Sequence, residues 1–246
     1  MFVSSLTPKI SSLKLLRMEK LENIPVKLDI NVIKKKLHMD RTGDWDLDGA
    51  LVETATAVIK PSAVYKVCYV EEKLEDEVII DGISFKSRVL RKNLEAVGRI
   101  FAYVVTIGKQ LEEMAGSRED LLEKYFLDSI GNVALVKARK YLEDQLRSRF
   151  ALDGVSFMSP GSLGDWPIEE QRPLFSLFEG GKAHIGVRLS ESLLMIPKKS
   201  VSGIYFPTEV TFYSCQLCPR KRCDGRKAPF DKKLVKEYGV GTAEGP

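Results

Sequence analysis

Three cysteines lie close together near the C-terminus, as Cys215-x2-Cys218-x4-Cys223, in a chain that has only four. A turn between such residues lets thiolate sulfurs converge on one metal ion, and the spacing suits zinc or an iron–sulfur cluster. The fourth ligand would be Cys68, His184, a substrate or water. Reduced structural thiols and a redox disulfide are the alternatives. A second candidate is Ser159-Pro160-Gly161-Ser162-Leu163-Gly164-Asp165-Trp166-Pro167. Its glycines and prolines impose a backbone that is neither helix nor strand. Main-chain amides in such a loop can take a carboxylate or phosphate. Asp165 is placed to cap the helix that follows. A third segment, Pro197 to Phe206, sets small hydroxyls before a glycine inside a strand, a pattern of close approach to a ligand or another backbone.

Other chemistries find little support. Gly180-Gly181-Lys182-Ala183 lacks the spacing and hydroxyl of a phosphate-binding loop, and no GxGxxG opens a helix after a strand. The two histidines, His38 and His184, have no evident nucleophile or carboxylate partner, so no catalytic residues are assigned. The tail from Cys215 is basic. Beside a cysteine cluster it would serve as a nucleic-acid knuckle or dock an acidic partner, or it is simply solvated.

The elements that must position these residues follow from periodicity. With 246 residues, 44% hydrophobic, 29% charged and a net charge of +4, the chain has an ordinary globular balance. That charge is too mild to imply nucleic acid. The apolar run from Ile100 is far too short for a membrane span, and the N-terminus has no secretory pattern. A cytoplasmic location is therefore expected, with reduced cysteines. Residues 1–28 read as an irregular arm, 29–212 as one domain and 213–246 as a cysteine-rich basic tail. Helices are expected at Leu28–Leu37, Leu47–Lys60, Leu90–Val97, Lys109–Ala115, Arg118–Phe150 and Ile168–Phe178, the longest splitting near Gly131 or running through it. Its inward positions include Leu121, Tyr125, Phe126, Ile130, Ala134, Ala138, Leu142 and Leu146. Strands are expected at Ala63–Val70, Ile100–Thr106, Ala183–Leu189, Leu193–Ile196 and Val201–Phe206, and a hairpin turns at Asp81-Gly82. Helices mixed with hairpins, without strict alternation, indicate an α+β fold with a largely antiparallel sheet.

Two of these segments resemble a known family. Leu189 to Pro207, LSESLLMIPKKSVSGIYFP, resembles the C-terminal part of the activation domain of cobalamin-dependent methionine synthase, through Glu191-Ser192, Ser200-Val201-Ser202-Gly203 and Tyr205-Phe206. Ser159 to Phe178 is similar to that domain's Pro-Gly loop and following helix, and Thr106-Ile107-Gly108 resembles a turn of free-standing relatives. The resemblance implies a bent antiparallel sheet flanked by helices. It implies S-adenosylmethionine as ligand, held by Ser159, Pro160, Gly161 and Ser162 and beside Lys198, Ser200, Val201, Ser202, Gly203 and Tyr205. It also implies a role in reductive methylation of cob(II)alamin. No corrinoid-binding Asp-x-His-x-x-Gly is present. The cobalamin would then belong to a partner, either a corrinoid protein or a methionine synthase lacking its own activation domain, with a separate electron donor. Phe157 stands at the place of the family's carboxylate-anchoring arginine, Ser162 at that of a tyrosine and Val136 near that of an acidic ligand. Lys198 or Lys199 is the candidate replacement cation. The cysteine cluster is an addition to the family's pattern. The other reading on this scaffold is a metal-binding, partner-docking module without S-adenosylmethionine.

Overall fold

The computed structural model describes residues 18–37, 49–178, 180, 185–223 and 225–240. A seven-stranded antiparallel sheet forms the centre. Its strands are β1 (Met18–Leu21), β2 (Ser62–Lys73), β3 (Glu77–Ile80), β4 (Ile83–Lys86), β5 (Arg99–Thr106), β6 (Val155–Met158) and β9 (Ser200–Pro207). They lie in the order β4-β3-β2-β5-β9-β6, with β1 also paired to β2. A separate two-stranded ribbon joins β7 (Arg188–Leu189) to β8 (Met195–Ile196). Helices α1 (Ile30–Lys36), α2 (Gly49–Val58), α3 (Arg88–Asn93), α4 (Gln110–Gly116), α5 (Leu121–Phe150), α6 (Gln171–Ser176) and α7 (Lys232–Tyr238) complete the α+β fold.

β5 occupies the middle because its apolar run can be covered on both faces. Ile100, Ala102 and Val104 pack on one side with Trp166, Phe175, Ile204 and Phe206. Phe101, Tyr103 and Val105 pack on the other with Ala138, Leu142, Leu146 and Tyr205. The second face is covered by α5. This helix starts at the Asp120 cap, which accepts the Leu122 N–H at 2.8 Å, and ends at Ala151 in the left-handed conformation. It runs unbroken through Gly131. A side chain there would begin only 3.1–3.3 Å from Leu111 and Lys199, so glycine lets α4 and the β8–β9 link pack close. The buried stripe Phe126, Ile130, Ala134, Ala138, Leu142 and Leu146 keeps a four-residue step. Leu121 and Tyr125, expected inward, lie off that stripe in the first turns and are exposed.

The Asp81-Gly82 turn closes β3 and β4 as expected, both residues having positive φ (46° and 78°). Asp81 also accepts the Tyr69 N–H at 3.0 Å and pairs with Lys66 at 2.9 Å. Burial pushes its pKa up, but that N–H and Lys66 outweigh burial and hold it below the ordinary value. The stabilisation is complete above the unfolded-state pKa and disappears as pH falls through the lowered folded value. Asp81→Asn keeps the turn geometry but not the charge. Its melting temperature should lie below the parent's at pH 7, and thermal scans should converge in acid below that lowered pKa.

Three other expectations change. Met18–Leu21, read as irregular, pairs with Ala63–Lys66 of β2. Its Glu19 accepts the Tyr65 hydroxyl at 2.5 Å and pairs with Arg149. The strand forms because β2 offers an edge, which four mixed residues do not announce. Ile168–Phe178 divides into a 3₁₀ turn (Ile168–Glu170) and α6. The strand expected at Ala183–Leu189 is confined to β7, its first two positions lying outside the described residues, as do Asp40–Asp46, His38 and His184.

The chain after Pro207 returns to the same core. Phe212, Leu217 and Val235 are buried in the cluster around Trp166, and Phe212 stacks on Tyr238 at 5.7 Å. No helix among the described residues is long and apolar enough to cross a membrane.

Candidate functional site

The Pro-Gly segment is a closed double turn at the end of β6. Gly161, with φ of 80°, donates its N–H to the Trp166 carbonyl at 2.8 Å, and Trp166 N–H donates to Leu163 at 3.1 Å. The Ser162 N–H and hydroxyl both donate to the Ser159 carbonyl, at 3.1 and 2.6 Å. Trp166 is fully buried and fixes the turn to the core. Asp165 does not cap the helix after it. It accepts the Ser87 hydroxyl and, at 2.9 Å, the Val89 N–H, so it tethers the turn to the start of α3. The reason is competition: Pro167 occupies the cap position of the next turn, and α3 offers unpaired amides nearby.

The sheet register lays this turn against the Pro197–Phe206 segment. Phe157 pairs with Tyr205 and Met158 with Ile204 across β6 and β9. Gly203 makes the approach possible. A Cβ there would sit 2.3 Å from the Met158 carbonyl oxygen and 2.7 Å from Ser159 Oγ. Tyr205 faces Phe157 and stacks on Tyr103 at 4.5 Å. Val201, Gly203 and Tyr205 thus share the α5 face, whereas Ser200 and Ser202 share the opposite face with Ile204. Ser200 donates to the Pro197 carbonyl at 2.7 Å, beside the Thr106 hydroxyl at 2.9 Å. Ser202 Oγ is buried without a hydrogen bond. Lys198 pairs with Glu112, and Lys199 with Asp128 and Asn132. Both lysines, the expected replacement cations, are therefore engaged by α4 and α5.

The cation that does reach the site is Arg139 of α5, which lies 3.9 Å from the Phe157 ring centroid. Tyr205 donates its hydroxyl to the Arg139 carbonyl at 3.3 Å. Burial raises the pKa of both Tyr103 and Tyr205, so the two phenols stay neutral donors. Phe157 is tied to the turn by its place two residues before Ser159, whereas no spacing links Tyr103 or Arg139 to it. For Arg139 the sequence offers only a cation, between Lys137 and Lys140, on a helix whose apolar face covers a sheet.

The cysteine loop sits over the same turn, with Ser214 Oγ 3.5 Å from Ser162 Oγ. Its framework is Arg226. The guanidinium donates to the carbonyls of Cys215 (3.0 Å), Cys218 (3.3 Å), Ala228 (3.3 Å) and Arg220. The Lys227 N–H lies 3.4 Å from Cys215 Sγ. All three cysteines are free, and no three His, Cys, Asp or Glu side chains among the described residues gather as a metal site. Cys68 is buried in β2, and burial, reinforced by Asp81, pushes its thiol up to about 12. Alkylation of the native, metal-free protein should label Cys215, Cys218 and Cys223 and spare Cys68. Mass spectrometry should find Cys68 modified only after denaturation.

The turn's outer side, from Ser162 to Asp165, borders a cavity of about 500 Å³ with Arg88, Leu217 and Cys218. That volume is within the range of small-molecule sites.

The chain is thus an α+β domain on an antiparallel sheet, in which β9 runs close against the edge strand β6 at Gly203, beside the Pro-Gly turn. Residues 162–225 match the family model described as the vitamin B12 dependent methionine synthase, activation domain. The match runs through the three cysteines, which the sequence had set outside the pattern. Among solved structures, the MetH reactivation domain bound to AdoHcy is similar to this chain, with a TM-score of 0.52, 15% identity and 80% of each chain covered. The resemblance to the activation domain is thereby shown, in sequence over 162–225 and in fold over most of the chain. No curated protein matches it.

Proposed function

We propose that this chain binds S-adenosylmethionine at the Pro-Gly turn and the adjoining β9, and serves as the reactivation component of a cobalamin-dependent methyltransferase. One observation carries the reading. The two segments that resemble the family, 159–162 and 200–205, are brought together by the β6–β9 register, in a fold shared with a reactivation domain solved with AdoHcy. The cobalamin belongs to the partner, a corrinoid protein or a methionine synthase without its own activation domain. Once reduced by one electron from an external donor, that corrinoid supplies the nucleophile that takes the ligand's methyl group and leaves S-adenosylhomocysteine.

The residues present suit that division of labour. A sulfonium needs no proton to leave as a thioether, so no general base is required. What the protein contributes is position and exclusion of water. Ser159, Pro160, Gly161 and Ser162 hold one end of the ligand, and Gly203 lets β9 run flush against them. The neutral Tyr103 and Tyr205 form a rigid aromatic floor.

The test uses a methionine synthase that lacks its activation domain, held in the cob(II) state with a reductant. Adding this chain and methyl-labelled S-adenosylmethionine should transfer label to the corrinoid and restore turnover. Absence of transfer across cob(II) partners, with S-adenosylmethionine bound to the chain, would overturn the reactivation role.

A further inference from the structure

Two cations face one aromatic ring beside the Pro-Gly turn. Arg139 from α5 lies 3.9 Å from the Phe157 ring centroid, and Lys227 Nζ from the cysteine loop lies 4.8 Å from it. Two donors beside them are poorly satisfied. Arg139 Nη1 is buried with no acceptor at good hydrogen-bond geometry, and the fully buried Tyr103 hydroxyl, which interacts with Arg139 and Ser159, has no well-formed hydrogen bond either. Tyr103 Oη and Ser159 Oγ converge, 3.0 and 2.7 Å from the point where a side chain on Gly203 would begin. The acid that acts on both cations is Glu143, whose side chain is ion-paired with Lys140 at 3.0 Å. Burial and the repulsion of Arg139 push the Lys227 pKa down. Like charges held together with buried, unpaired donors cost free energy unless an anion completes them.

A guanidinium fork with a neighbouring ammonium and neutral hydroxyls suits a carboxylate, which can accept two N–H bonds at once. We propose that Arg139, assisted by Lys227 and Tyr103, is the residue that selects ligands carrying a carboxylate, by pairing with the amino-acid end of S-adenosylmethionine. The proposal rests on the ligand reading above. Arg139 positions the ligand and takes no part in bond making. Lys227 brings the cysteine loop into the site, so ligand binding and the docking of that loop are coupled.

The test compares S-adenosylmethionine with its decarboxylated form, which keeps the adenosine, sulfonium and amine. The unaltered chain should bind S-adenosylmethionine about tenfold more tightly, the scale of a charge-assisted hydrogen bond. Arg139→Gln should erase that preference by weakening S-adenosylmethionine while leaving the decarboxylated ligand within about twofold. Lys227→Gln, which leaves the Arg226 framework of the loop in place, should reduce the preference in the same direction by a smaller factor. Equal affinities in the unaltered chain overturn the proposal. So does a preference that survives both substitutions, although S-adenosylmethionine binding would then leave the ligand reading intact. Failure of the unaltered chain to bind S-adenosylmethionine at all overturns both.

Discussion

Trp166→Ala should be the most damaging single substitution in the site region, lowering stability by about 3–5 kcal/mol, the usual cost of truncating a buried aromatic. The indole is fully buried and packs edge-on to Phe85 at 6.5 Å, within the cluster that includes Phe175, Phe178 and Leu217. Three otherwise separate pieces meet there: the β3–β4 hairpin, α6 and the returning C-terminal segment. No neighbour is free to fill the void, because each is anchored in its own element. The main chain of Trp166 also accepts the Gly161 N–H, so loosening the ring loosens the Pro-Gly turn. Denaturant unfolding should show a lower midpoint at unchanged slope, and ligand affinity should fall with it. Trp166→Phe removes less volume and should cost correspondingly less. An alanine variant with the parent's midpoint would mean that the indole is not a core residue.

Gly203→Ala should follow, with a cost of about 1–3 kcal/mol from overpacking. The added methyl would meet the Met158 carbonyl at 2.3 Å, a backbone atom of the strand paired to it. Relief requires β6 to move off β9, and β6 is what leads into the Pro-Gly turn. The loss should therefore be local first. Hydrogen exchange should quicken across Val155–Met158 and 159–163, while β2 and β5 keep their protection. Gly161→Ala makes a useful contrast. There the strain is a φ of 80° and contact with the Ile168 side chain at 2.9 Å, which can turn aside. If Gly203→Ala leaves exchange and ligand affinity unchanged, the close crossing of β6 and β9 does not shape the site.

Much of the fold was legible because its signals are local. Asp81-Gly82 announced its turn through the φ values that the type demands. The run at 100–106 announced a strand covered on both faces. The helix to Phe150 announced its length, though only packing against Leu111 and Lys199 explains why Gly131 does not break it. The readings that changed depended on partners distant in sequence. Met18–Leu21 becomes a strand because Ala63–Lys66 is there to pair with it. Asp165 serves α3 because that helix start lies beside it in space.

The site divides in the same way. Ser159–Ser162, Gly203 and Tyr205 enter the proposed site by resemblance and by the meaning of glycine in a strand. Strand alternation could also have separated Val201, Gly203 and Tyr205 from Ser200 and Ser202, which point to the other face. Phe157 could be seen only as a missing charge. The cation that meets it comes from Arg139, eighteen residues earlier and across a helix–sheet contact, and a second comes from Lys227 in a loop held by Arg226. No spacing rule connects those segments, because the β6–β9 register and the seating of α5 bring them together.

The most direct measurement is calorimetric titration of S-adenosylmethionine into the reduced, unaltered protein. Saturable binding in the micromolar range with one ligand per chain, lost in Gly203→Ala, is the expected result. No heat and no competition by S-adenosylhomocysteine at millimolar ligand would contradict the ligand site, and with it the reactivation role.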